Sequence, residues 1–144
     1  MSADIIVERL RRLLIGLAVF LVVGTLGELL VIEHFQATEQ YIPIVMCVIA
    51  LLALGAAIVR PQRWTLQAMR LVMLGMGLVS LLGLYYHVTG NFAFELEIRP
   101  NATLGEVFLD ALGGANPLLA PGILGIAAVL ALASTYYHSA LTAK

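Results

Sequence analysis

The sequence predicts an all-α integral membrane protein with four transmembrane helices and both termini cytoplasmic. Between helices three and four it predicts an external segment holding a strand-like stretch and an amphipathic helix. Three observations lead there. Of 144 residues, 61% are hydrophobic and 12% charged, and mean hydropathy is +0.98. A soluble domain carries about 25% charged residues, and so short a chain has too little interior to hide this much apolar surface. The apolar residues also fall into four runs of roughly bilayer length. The basic residues, finally, collect on one side of those runs.

The first span covers about residues 13–32. Twenty residues rising about 1.5 Å each give about 30 Å, the thickness of the hydrocarbon core. Ile5, Ile6 and Leu10 alternate with charges ahead of it, which predicts an amphipathic lead-in continuous with the helix. Asp4 and Glu8 interrupt what would be the basic region of a signal peptide, so the run reads as a retained helix. Residues 33–40 form a short polar connection. The second span covers about 42–59 and ends at Arg60-Pro61, because proline cannot donate to a continuing helix.

Trp64 and Thr65 open the third span, about 66–86, with Arg70 near enough to the boundary to snorkel to the headgroups. Asn116 and Pro117 read as an N-cap and first helical residue of the fourth span, about 118–136. The whole of 1–144 is then one membrane domain.

Orientation follows from charge. With the N-terminus inside, Arg9, Arg11, Arg12, Arg60, Arg63, Arg70 and Lys144 are cytoplasmic and only Arg99 is outside. That is the positive-inside pattern of a plasma or inner membrane protein, and it puts the segment 87–116 on the periplasmic or extracellular side. In that segment Phe92, Phe94, Leu96 and Ile98 alternate with Ala93, Glu95, Glu97 and Arg99, the period of a strand. Thr103 and Glu106 then match a capping box for a helix over 104–112, with Leu104, Val107, Phe108 and Ala111 on its apolar face. Phe92, Phe94, Leu96, Ile98, Val107 and Phe108 are accordingly candidates for a partner surface.

Composition excludes several function classes. Net charge is −1, so nothing points to nucleic acid. A single cysteine, Cys47, rules out an internal disulfide or a dithiol centre. The three histidines sit at span ends, where facing axial haem ligands cannot form. Ser80 and Ser134 have no histidine a turn away inside the membrane to activate them. No cofactor is indicated.

Three groupings remain. Glu28 lies within the first span, where a carboxylate costs about 2.5–3.5 kcal/mol and usually faces protein or a water-filled cavity. With Thr25 one turn earlier it is a candidate substrate or ion site; the plainer reading is a Glu hydrogen-bonded to a neighbouring helix. Met69, Met73, Met76, Ser80, Gly83 and His87 fall on one face of the third helix, and with Met46 and Cys47 their chemistry suits Cu(I). Such a stripe is more often helix packing. His34, His87, Glu33, Glu39, Glu95 and Glu97 are external and have the chemistry of a divalent metal site, but not its spacing within one element. A solvated acidic rim is the plainer reading of them.

Small residues line further faces: Ala50, Ala53 and Ala57 on helix two, Ala127, Ala131 and Ser134, and Gly125 with Ala128, on helix four. These exceed what one bundle needs. Together with the unpaired strand-like stretch and the lack of catalytic residues, they favour a non-enzymatic accessory or structural subunit of a larger membrane complex. Its partners would be the lipid bilayer and other membrane subunits or further copies of the chain. The alternative is a small transporter or ligand-binding protein using Glu28.

Overall fold

The computed structural model describes residues 3–142. Lys144, counted above among the cytoplasmic charges, lies outside them. The described chain is all-helical: α1 (Ala3–Val31), a 3₁₀ turn (Thr38–Gln40), α2 (Tyr41–Val59), α3 (Arg63–Ile98), α4 (Phe108–Leu112), α5 (Leu119–Ser134) and α6 (Ser139–Thr142). Three helices, α1 to α3, are long and apolar enough to cross a membrane, which suggests a membrane protein. The 16 residues of α5 are apolar but rise only about 24 Å, less than a full hydrocarbon core.

α1 packs on α2 and α5, and α3 packs on the same two. Arg11, near the start of α1, reaches carbonyls just past the end of α5, while His87, late in α3, reaches a carbonyl just before α5 begins. The four helices therefore run up, down, up, down. One end of the bundle carries Arg9, Arg11, Arg12, Arg60 and Arg63; the other carries Glu28, Glu33, His34, Glu39 and His87.

Small residues and methionines make the contacts. Ala18 and Val22 of α1, Ala50, Leu54 and Ala57 of α2, and Ala127, Ala128 and Ala131 of α5 are buried around Met69, Met73 and Met76. Alanine lets helix backbones approach, and the unbranched methionines fill the gaps that remain. The small faces are thus used within the chain. Phe20, Leu52, Leu71 and Val129 stand exposed on the outer surface, as lipid-facing residues do.

The helix ends are set locally. α2 stops at Val59, two residues before Pro61. In the turn that follows, Thr65 Oγ1 accepts from the Gln62 N–H (3.0 Å) and lies 2.6 Å from the Arg60 carbonyl, to which it donates. α1 ends in a Schellman arrangement: His34 N–H donates to Leu29 O (2.9 Å) and Glu33 N–H to Leu30 O (3.3 Å). Its left-handed residue is Glu33, at φ 53°.

The strand-like reading of 92–99 is corrected. α3 runs unbroken through it to Ile98, 36 residues in all. At helical spacing Phe92 and Leu96 share one half-buried face while Phe94 and Ile98 share an exposed one. A lone strand would leave its backbone groups unpaired, whereas the helix satisfies them internally. Glu95 and Arg99 add an i,i+4 ion pair of 2.9 Å.

The helix expected over 104–112 shrinks to Phe108–Leu112. The Thr103–Glu106 pair does form, with the Thr103 N–H and Oγ1 2.7 and 2.9 Å from Glu106 Oε2, but it closes a turn rather than opening a helix. Its apolar face is divided as well: Val107 and Ala111 are buried against α3, while Leu104 and Phe108 are exposed. Asn116 does not cap α5, which starts at Leu119; it is held by Asn91 instead.

Candidate functional site

At the acidic end of the bundle a cavity of about 560 Å³ opens between all four long helices. Helical spacing explains its walls. Thr25, Glu28, Leu29 and Ile32 stand at i, i+3, i+4 and i+7 on α1, and Val79, Leu82, Gly83, Tyr86 and His87 repeat that register on α3. Ala120, Pro121 and Leu124 of α5 and Ile42 and Pro43 of α2 complete the apolar lining. His34, Glu39, Gln40 and Asn116 stand at the mouth, supplied by the connections.

His87 is fixed by Pro117, just before α5, and Pro121 within it. Pro121 has no N–H to offer the carbonyl four residues back. That carbonyl, of Pro117, accepts from His87 Nδ1 at 2.9 Å, which requires the proton on Nδ1. His34 stands close enough to feel it: burial, and then the charge of His87, hold its pKa below the usual histidine value. A neutral His34 offers one ring nitrogen as an acceptor.

Deeper in, Thr25 is 7% exposed and its Oγ1 is buried with no hydrogen-bond partner. A threonine within an apolar helix commonly satisfies its hydroxyl on a carbonyl of the preceding turn; here it does not. None of the four ion pairs among the described residues involves Glu28 or Glu39. No Lys or Arg lines the cavity.

The structure brings Thr25, Glu28, His34, Glu39 and His87 into one cavity and leaves Glu33, Glu95 and Glu97 apart. Glu33 lies in the turn ending α1, Glu95 pairs with Arg99, and Glu97 is exposed on α3. Among the described residues no group of three or more His, Cys, Asp or Glu is placed to hold a metal ion. Met69, Met73 and Met76 are buried core, and Ser80 and Gly83 are contacts with α5. Of the suggested partner surface, Phe94, Ile98 and Phe108 are exposed, Phe92 and Leu96 are half-buried, and Val107 is fully buried. Phe92 and Phe108 pack together with ring centroids 6.2 Å apart.

Three cavity positions are not among the candidates read from the sequence: Asn116, Pro117 and Pro121. Asn116 reaches the cavity through a 25-residue link to Asn91 that has no local signature. Pro117 and Pro121 do carry one: prolines four apart expose a carbonyl that a neighbouring helix must satisfy. No family model matches the chain, and neither a curated protein nor a solved structure matches it significantly.

Proposed function

We propose that this chain is a small transport or ligand-binding protein of the membrane, with Glu28 as the carboxylate its ligand engages. One observation carries the reading: the cavity collects Thr25 and Glu28 of α1, His34 and Glu39 of the first connection and His87 of α3, side chains of different chemistry from separate parts of the sequence. Its volume lies within the roughly 300–1,000 Å³ typical of small-molecule sites.

In this reading α5, extended by its flanking turns, completes a fourth crossing. The arginine-rich end is cytoplasmic with both termini, and the cavity opens on the periplasmic or extracellular side, by the positive-inside rule. Labelling of an Asn101→Cys variant by a membrane-impermeant thiol reagent on intact cells tests that orientation, since the native Cys47 is buried.

The function is tested by native mass spectrometry of protein extracted in its own lipids. A small molecule retained by the wild type and lost from Glu28→Gln supports the reading. Retention by neither, or equally by both, overturns it.

A second reading, the accessory subunit of a larger complex, keeps one support. Phe94 and Ile98, with Leu104 and Leu109, stand exposed on the part that extends past the bundle. Purification as a monodisperse monomer that captures no partner from native membranes removes it.

A further inference from the structure

We infer that the cavity takes an amphiphile with a protonated primary or secondary amine as its headgroup. The ammonium is held by Glu28 and Glu39, and the hydrocarbon tail lies along Leu29, Leu82 and Leu124. This rests on the ligand-binding reading above and names the ligand's chemical class.

Charge comes first. Two carboxylates line a largely apolar cavity, and no Lys or Arg lines it with them. Neither carboxylate is in an ion pair among the described residues and both are exposed, so a cation entering the cavity can reach them, and the apolar walls strengthen the attraction. An anionic ligand would add a third negative charge. A bare metal ion lacks its ligand set, because no group of three or more His, Cys, Asp or Glu converges among the described residues.

Hydrogen bonding then selects among cations. An ammonium bearing N–H groups needs acceptors beyond the carboxylates. Thr25 Oγ1, buried, cavity-lining and without a partner, is one. His34 is another, since its neutral form is favoured by burial and by His87. A quaternary ammonium has no N–H to give and would leave the Thr25 oxygen as it is. The walls account for the rest of the molecule: Leu29, Ile32, Val79, Leu82 and Leu124 make an apolar continuation below the acidic mouth. The titratable groups that line the cavity with Glu28 are His34, Glu39, Tyr86 and His87, with none from α5.

The test uses full-length protein in nanodiscs and three water-soluble probes of equal chain length: octylammonium, octanol and octanoate. Binding is read by native mass spectrometry and by the shift in thermal unfolding. Octylammonium is expected to occupy a single saturable site, Glu28→Gln to weaken it about tenfold or more, and Thr25→Val to weaken it several-fold. Ala120→Trp, which fills the cavity from α5, is expected to abolish it. If octanol or octanoate binds as tightly as octylammonium and Ala120→Trp removes it, the amine class is wrong while the cavity remains a ligand site. Unchanged octylammonium binding in Glu28→Gln also overturns the amine assignment. If no probe saturates and no native molecule is retained on extraction, both readings fall together.

Discussion

Asn91 and Asn116 hold each other through two hydrogen bonds made by one side chain. Asn91 Nδ2 donates to the Asn116 carbonyl at 2.9 Å, and Asn91 Oδ1 accepts the Asn116 N–H at 2.9 Å. Asn91 is fully buried. A Cβ on Gly114 would come within 2.7 Å of its Cγ, so glycine is needed for the chain to pass. Asn91→Leu removes both bonds, and we expect a loss of about 2 kcal/mol in unfolding free energy. It should also raise the protease sensitivity of residues 99–116. Unchanged stability and unchanged proteolysis would show that the rest of the segment holds itself.

The contact between α3 and α5 rests on a second close approach. Ser80 Oγ donates to the Pro121 carbonyl at 2.7 Å, and a Cβ on Gly125 would lie 2.8 Å from that same oxygen. Gly125→Ala is expected to destabilise by about 1–3 kcal/mol through overpacking. Ser80→Ala alone should lose about 1 kcal/mol. The double variant should be less destabilised than the sum, by about 1 kcal/mol, because the oxygen 2.8 Å from the added methyl is Ser80 Oγ, and removing it makes room. Strict additivity in this cycle would contradict the geometry.

At the basic end, Arg11 serves as a cap for another helix. Its Nη2 donates to the carbonyls of Tyr136 and Tyr137 at 2.9 and 2.6 Å, just past the C-terminus of α5. The cation also complements the negative end of the helix dipole. Arg11→Ala is expected to lower stability by about 1–2 kcal/mol. Arg11→Lys should recover part of that loss, since a lysine keeps the charge and has N–H groups for both carbonyls, but its shorter side chain does not carry them as far as Nη2. Chemical unfolding in a single detergent reads the series.

Stability should fall as the medium is acidified. His34 and His138 both have pKa values lowered from 6.5, each mainly by burial, with His87 and Arg11 respectively adding to the effect. The unfolded chain therefore binds more protons than the folded one as pH drops through 6.5. Their contribution is fully present above that value and is lost as pH falls towards the depressed folded values. Melting curves between pH 8 and pH 5 should show the decline. The double variant His34→Gln/His138→Gln should flatten it; an identical slope in that variant would rule these two groups out.

Much of this architecture was legible because apolar run length has few alternatives. The lead-in through Arg12, the stop before Pro61 and the Met69–Met73–Met76 packing face all follow from composition and spacing. The segment after His87 was harder. Eight residues from Phe92 to Arg99 cover barely two helical turns, so alternation and a 3.6-residue period fit the same apolar positions. What favours the helix is the internal pairing of its backbone groups and the Glu95–Arg99 ion pair, with Asn91 and the burial of Val107 and Ala111 tying the following segment to it. For the cavity, the Thr25–Glu28 pair and the two span-end histidines could be read from sequence. Their convergence could not, because it depends on how α1 and α3 sit against α5.

The bond from His87 to Pro117 spans 30 residues of sequence at 2.9 Å. The chain therefore leaves the bundle and rejoins it at nearly one point, the geometry of an inserted module rather than of a connecting loop. Everything between, from the upper turns of α3 through α4, is an excursion hung on a finished scaffold. Such a graft point can accept a longer or shorter insert without disturbing the helices below, so long as Ala115 and Asn116 keep their places in the cavity wall.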